Sequence, residues 1–272
     1  MALTMGTGPF GPQTAGVFNF ELETRHVLYF EDSPRRVRVL FNGKVIADSR
    51  RVKLLHETGY LPVYYFPQQD VRMDVATPSA HHTHCPVRGG ARYWTVVVGD
   101  RAAENALWSY PEPIEGAPPL AGYVAFYWDR MDQWFEEDEE VFVHPRDPYH
   151  RIDAIASSRQ VTVSLDGRTL AESQRPTLLF ETGLPVRYYL PEEDIQLDLL
   201  LASSARTRCP YKGIASYRSV HLGDQVISDV VWSYPSPNPA VTAIAGLLCF
   251  YNERVDLKVD GEPQPRPRTP FA

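Results

Sequence analysis

The sequence predicts an all-β protein made of two tandem copies of one small domain. Three observations carry that reading. The segment Leu179-Phe180-Glu181-Thr182-Gly183-Leu184-Pro185-Val186-Arg187-Tyr188-Tyr189-Leu190-Pro191 repeats Leu55-His56-Glu57-Thr58-Gly59-Tyr60-Leu61-Pro62-Val63-Tyr64-Tyr65-Phe66-Pro67 at an offset of 124 residues (181 − 57). The same offset aligns Cys85 with Cys209, Gly89 with Gly213, Trp108 with Trp232 and Tyr110 with Tyr234, without a gap from Val37 to Asp132. That length is a duplicated domain, because solenoid repeats span only ~20–50 residues. Secondly, short runs rich in β-branched and aromatic residues recur every ~8–12 residues with Gly and Pro between them, the pattern of antiparallel strands. Thirdly, helical periodicity over about ten residues or more is absent.

In chain order, residues 1–16 are rich in Gly, Pro and Thr and are expected to be disordered. Val17 to Phe30 alternates apolar positions (Phe18, Phe20, Leu22) and reads as a leading strand. Val37 to Phe41 is a strand, and Asn42-Gly43 after it is a strong hairpin signal because both residues tolerate positive φ. The second copy keeps this chemistry in Val161 to Leu165 followed by Asp166-Gly167. Val52 to Leu55, Tyr64 to Phe66, Val71 to Val75, Tyr93 to Val98 and Tyr123 to Tyr127 are further β-rich runs, and Asp100 to Leu107 has room for one helical turn.

Met131 to Ser158 joins the copies. Its acidic run, Glu136 to Glu140, reads as a solvated face or linker. The first domain is therefore assigned to 17–145 and the second to 146–262. The Pro-rich segment 263–272 is expected to be a loose C-terminal tail.

A chain of 272 residues suits about two domains at ~100–200 residues each. The net charge of −7 argues against a nucleic-acid partner. No apolar run approaches the ~20 residues of a membrane span, so no membrane partner is expected. The N-terminus shows no cationic segment followed by an apolar run, and hence no signal peptide. The three cysteines make no disulfide framework, which points to a reducing cytoplasm.

The motifs are similar to those of the DUF427 family of bacterial and fungal domains. They are Glu181-Thr182-Gly183-Leu184-Pro185, Arg187-Tyr188-Tyr189, Pro191-Glu192-Glu193-Asp194, Thr207-x-Cys209-Pro210-Tyr211-Lys212-Gly213, Tyr217, Trp232-Ser233-Tyr234-Pro235, Ile244-Ala245-Gly246 and Phe250-Tyr251. The resemblance covers both copies and implies two small β-tent (Mss4-like) domains. It also carries a nucleotidyltransferase-like label, which implies one alternative function. Arg88 stands in the first copy where Lys212 stands in the second, and Trp94 where Arg218 stands. A fold of this kind does not by itself name an activity.

Candidate chemistry follows from residue type. A thiol becomes a nucleophile when nearby cations favour its ionised form, and Cys209 has Arg206, Arg208 and Lys212 close in sequence. The plainer alternative is a buried Cys packing as a small hydrophobe. Cys249, in an apolar run, reads as core. Lys212 is assigned as an anchor for a substrate anion, with a charge that burial can tune, whereas Arg88 stays charged. Glu181 is a candidate base or orienter, as is Glu57, or each makes a structural ion pair. Successive tyrosines point to opposite faces of a strand, so one of Tyr64-Tyr65 and one of Tyr188-Tyr189 should face the core and the other a pocket.

The predicted site in the second copy is thus Cys209, Lys212 and Glu181 for chemistry, with Tyr189, Trp232 and Tyr234 as stacking walls. The first copy offers Glu57, Tyr65, Cys85, Arg88, Trp108 and Tyr110 for binding. Capping of the core is the competing role for both Trp-Ser-Tyr-Pro segments. His81-His82-Thr83-His84-Cys85 resembles a chelating run, but the second copy reads Ala205-Arg206-Thr207-Arg208-Cys209 there, and no Cys-x-x-Cys pair exists, so no metal is expected. No Gly-x-Gly-x-x-Gly, P-loop or Gly-x-Ser-x-Gly motif calls for a cofactor. Three function classes remain open: an enzyme acting on a small anionic or planar molecule, a non-catalytic module binding one, and a pseudo-dimeric scaffold.

Overall fold

The structure is a computed structural model that describes residues 3–23 and 25–269. The chain divides into two units between Pro148 and Tyr149, against the 145/146 boundary read from the sequence. Both units are all-β.

The first unit holds β1 (Leu28–Asp32), β2 (Val37–Phe41), β3 (Lys44–Ser49), β4 (Lys53–Glu57), β5 (Val63–Pro67), β6 (Ala76–Cys85), β7 (Gly89–Val98), β8 (Arg101–Ser109), β9 (Tyr123–Phe126), β10 (Gln133–Glu136) and β11 (Glu139–Glu140). Seven of these form one antiparallel sheet in the order β1-β4-β5-β9-β8-β7-β6, and four form another in the order β11-β10-β2-β3. The second unit holds β12 (Ile152–Ala156), β13 (Val161–Leu165), β14 (Arg168–Ser173), β15 (Thr177–Glu181), β16 (Arg187–Leu190), β17 (Leu200–Cys209), β18 (Gly213–Leu222), β19 (Gln225–Ser233), β20 (Leu248–Phe250), β21 (Asp256–Val259) and β22 (Glu262–Gln264). It repeats the two sheets as β12-β15-β16-β20-β19-β18-β17 and β14-β13-β21-β22.

In each unit the main core lies between the two sheets. Val37 and Val39 of β2, Ile46 of β3, Leu54 of β4 and Tyr64 and Phe66 of β5 form it in the first unit. Strand alternation sends the intervening residues to the other face of the large sheet. There Leu55, Tyr65, Ala91, Tyr93, Tyr110, Leu120 and Ala125 form a second cluster. Its counterpart is Leu179, Tyr189, Ala215, Trp232, Tyr234, Val241, Ile244 and Cys249. The segment 234–247 covers that face through Val241 and Ile244.

Both hairpin turns read from the sequence adopt the left-handed backbone they require: φ is 47° at Asn42, 69° at Gly43, 49° at Asp166 and 79° at Gly167. Other readings are corrected. Asp100 to Leu107 is not a helical turn but most of β8, because pairing with β7 and β9 overrides its alanine content. Among the described residues of the leading segment, Val17 to Phe30, strand begins only at Leu28, the start of β1. Val71 to Val75 is largely a 3₁₀ turn at Met73–Val75. The acidic run divides: Glu137, Asp138 and Glu139 are exposed, whereas Glu136 sits on β10 and is buried, accepting hydrogen bonds from Tyr64 Oη at 2.8 Å and the Arg146 amide at 3.0 Å.

The N-terminal segment is also anchored. Thr4 is buried, and its carbonyl accepts the Gly59 amide at 2.7 Å. The C-terminal segment adds β22 to the small sheet and then donates from Thr269 Oγ1 to Glu253 at 2.7 Å. Positions 1, 2 and 270–272 of those two calls lie outside the described residues.

Phe66 is fully buried against Phe126 and Trp134. Phe66→Ala should destabilise the first unit by ~3–5 kcal/mol in chemical denaturation. A cost under ~1 kcal/mol would contradict the core assigned here.

Candidate functional site

Glu181 ends β15 on the second face of the large sheet, the face shared by Leu179. It is buried to 8 % exposure. One carboxylate oxygen, Oε2, accepts from Lys212 Nζ. The other, Oε1, accepts from His150 Nε2 at 3.0 Å. The His150 ring is itself stacked on Tyr211, with centroids 3.8 Å apart and 16° between planes. Three separate segments therefore meet at one carboxylate: the arm before β12, the end of β15 and the turn between β17 and β18.

Local chemistry explains how each segment arrives. The arm is pinned because the Thr182 amide donates to the Arg151 carbonyl at 3.0 Å, and the Arg151 amide donates to Thr182 Oγ1 at 2.9 Å. That is why a Thr follows the Glu. Cys209 pairs with Gly213 at the end of the β17–β18 ladder, so Pro210, Tyr211 and Lys212 form the turn. Gly213 has φ +103°, and a Cβ there would lie 3.3 Å from the Ser236 carbonyl. Only glycine suits that position. Asn238 clamps the turn from outside, its amide donating to the Lys212 carbonyl at 3.0 Å and its Nδ2 to the Pro210 carbonyl at 3.1 Å.

The first copy builds the same centre with one exchange. Glu57 Oε2 pairs with the Arg88 guanidinium, Nη1 lying 2.8 Å away, and Oε1 accepts from His26 Nε2 at 3.1 Å. Arg88 Nε also points at Cys85 Sγ, 3.3 Å away. Its guanidinium carbon lies 5.4 Å from the Tyr110 ring centre. Gly89 repeats the glycine at φ +102°. His26 and His150 were missed in the sequence, although they are identical residues at the same 124-residue offset (150 − 26). They lie upstream of the Val37 start of the aligned window.

Electrostatics settle what the carboxylate can do. Burial pushes Glu181 up, but the Lys212 charge and the bond from His150 outweigh it and hold the group down at about 2. Burial likewise lowers Lys212, yet Glu181 and Cys209 raise it above its ordinary value. Lys212 is therefore a firmly protonated cation. The sequence-based idea that burial tunes its charge is not what the surroundings produce. Glu181 is thus held ionised, with a hydrogen bond to each oxygen.

The aromatic residues divide. Tyr65 and Tyr189 are both fully buried, so their rings are no walls for a ligand. Tyr234 and Tyr110 are also buried, and burial pushes both hydroxyls up, Tyr110 to about 12. Trp232 is buried, donating Nε1–H to Tyr189 Oη at 3.0 Å. Trp108, Cys85, Cys209 and Lys212 are half-buried. Beside Trp108 and Trp232 stand Tyr127 and Tyr251, each 4.5 Å away between ring centres, which sequence reasoning quoted at most as motif. Cys249 is fully buried, and burial pushes its thiol up to about 12.

The second copy alone adds a buried pair, Arg187 to Glu253, at 2.7 and 2.6 Å. Its guanidinium lies 5.4 Å from the Trp232 ring centre. Three shallow hollows of about 380, 410 and 390 Å³ lie elsewhere, around Asp166 and Gln225, Arg101 and Arg130, and Asp70 and Arg72. The expected ligand pocket is not among these three. No group of three or more His, Cys, Asp or Glu side chains gathers in metal-binding geometry among the described residues.

A family model for a domain of unknown function, DUF427, matches residues 29–137 and again residues 153–261. The chain belongs to the DUF427 family. Both matches span the strands that carry the Glu, the thiol and the cation of each copy, and each begins just after its histidine. No curated protein matches the chain. Among the described residues, no helix is long and apolar enough to cross a membrane.

The depressed Glu181 gives a pH test. A carboxyl held below its unfolded value contributes stability above that value and loses it as pH falls through the folded one. The loss should run from about pH 4.5 down to about 2. Glu181→Gln should flatten this limb in urea denaturation measured across that range. An unchanged acid limb would contradict the paired carboxylate.

Proposed function

We propose that each DUF427 domain binds a small anionic or planar molecule at its Glu–His–cation–Cys centre, with the thiol as the atom presented to it. One observation carries this reading. The same buried carboxylate holds a cation and a histidine beside a half-exposed thiol in both copies, through equivalent atoms. A thiol needed only for packing gains nothing from a buried charge pair next to it, and such pairs are weak contributors to stability. The half-buried Tyr127 and Tyr251 offer ring surface beside the centre.

Catalysis with Cys209 or Cys85 as nucleophile is the second reading, favoured by the Arg88 Nε–H directed at Cys85 Sγ. In it Lys212 or Arg88 anchors the substrate anion and Glu181 or Glu57 orients that cation. Neither the nucleotidyltransferase-like alternative nor a pure scaffold has an observation of its own. The three thiols are unpaired, in keeping with a reducing cytoplasm.

Alkylation by iodoacetamide at neutral pH, followed by peptide mapping, tests the thiol assignment without a known substrate. Cys85 and Cys209 should react faster than a model thiol such as N-acetylcysteine, and Cys249 far more slowly. Lys212→Met should slow Cys209 about tenfold or more, since bonds to charged groups are worth ~1.5–3 kcal/mol. Lys212→Arg, which installs the first copy's residue, should restore the rate. Cys85 and Cys209 no faster than the model thiol would sink the proposal.

A further inference from the structure

The buried pair of Arg187 and Glu253 lies outside the Glu–His–cation–Cys centre, and the fold does not require it. Val63 and Asp129 stand at the equivalent places of the first copy (187 − 63 = 253 − 129 = 124). In the second copy the two side chains are only 7 % and 4 % exposed. The guanidinium lies 5.4 Å from the ring centre of Trp232 and 5.9 Å from that of Tyr251. A buried pair is a weak contributor to stability, so its presence in one copy calls for a reason.

A third group joins the pair. Thr269 Oγ1 donates to Glu253 Oε1 at 2.7 Å, the oxygen that also accepts from Arg187 Nη2 at 2.6 Å. Burial pushes the Glu253 carboxyl up, but the bonds from Arg187 and Thr269 outweigh it and hold the group below its ordinary value. Thr269 arrives on the segment after β22. Residues 265–269 belong to no strand and make no backbone–backbone hydrogen bond among the described residues. Pro265 and Pro267 have no N–H to donate. Arg266 adds an exposed ion pair with Asp256 at 2.8 Å, a kind of contact worth little. The first copy takes another course. Pro145 stands where Thr269 does (269 − 145 = 124), and the chain before it sinks Val141 into the core.

We propose that residues 265–269 are a releasable strap on the second domain, latched by the Thr269 hydroxyl to Glu253 and shielding the Arg187 guanidinium and the ring floor beside it. Few bonds hold the strap, so it belongs to the part of the structure that opens most readily. The latch is sensitive to charge. Thr269 meets a carboxylate that is 4 % exposed, and a negative group at 269 would face it as a like charge. Trp232 and Tyr251 border the thiol centre in the reading given above, and the strap's bearing on ligand access rests on that reading. The first domain, without a strap, offers its floor at all times. The second offers it when Glu253 is unlatched.

Phenylglyoxal, which condenses with guanidinium groups, tests the strap without a ligand. Rates at single arginines are read by peptide mapping of the full chain at mildly alkaline pH. Arg187 should react far more slowly than Arg151, whose side chain is 80 % exposed. Thr269→Glu should speed Arg187 about tenfold or more, the effect expected when a hydrogen bond to a charged group is lost. Thr269→Ser should keep the slow rate. Removal of residues 265–272 should match Thr269→Glu, and Arg88 in the first domain should hold its rate in every variant. An Arg187 as fast as Arg151 in the full chain, or a rate unmoved by Thr269→Glu, would overturn the strap. A rise on removal of 265–272 without one in Thr269→Glu would overturn the latch. Iodoacetamide rates at Cys209 and Cys85 test the thiol reading separately. Slow thiols with a strap-dependent Arg187 would leave the strap standing and remove only its bearing on ligand access.

Discussion

A carboxylate taken out of water must have its charge answered, and in each copy of this chain that demand organises the site. Glu181 and Glu57 end an interior strand of the large sheet, on the face away from the main core. Isolated burial of such a charge is prohibitive, so the group either neutralises or recruits partners. Here it recruits a cation from the turn after a cysteine and a histidine from the arm that opens the domain. Satisfying the carboxylate therefore dictates where the arm runs, how the cysteine turn folds and why a glycine with positive φ follows the cation.

The two copies act as an internal comparison. Lys212 and Arg88 exchange a point charge for a planar fork, and the carboxylate pairing survives. The fork has donors to spare, and one reaches the thiol. By contrast, Arg187 and Glu253 are replaced in the first copy by Val63 and Asp129, and Val63 joins the apolar cluster there. The fold accepts an apolar residue or a buried ion pair at that position, as expected if such a pair adds little net stability. The constraint thus lies at the Glu–cation centre, and the neighbouring aromatic floor is free to diverge.

Much of this was legible in residue order. Asn42-Gly43 and Asp166-Gly167 announced hairpins through their tolerance of positive φ, and the gapless repeat gave two equal domains. Cys, cation, Glu and the Trp-Ser-Tyr-Pro segment recur at one offset, which is why they could be grouped before their meeting was seen. Other features needed the third dimension. The alanines after Gly99 favour helix locally, yet pairing on both sides makes them β8. Glu136 looks like one of five solvated acids, but strand alternation turns it toward Tyr64 and Arg35. Tyr65 and Tyr189 promised open ring surface, whereas both rings are fully buried in the cluster on the second face of the large sheet. His26 and His150 show the limit of an aligned window that opens at Val37, since the repeat continues upstream of it.

The claim that the buried pair organises the second site is tested most directly by a double-mutant cycle on stability with Glu181→Gln and Lys212→Met. Removing one partner of a buried pair strands the other, at a cost of ~3–5 kcal/mol, whereas removing both does not. The account predicts two destabilised single variants and a double variant much closer to the wild type than their sum. Single costs that simply add in the double variant would contradict it.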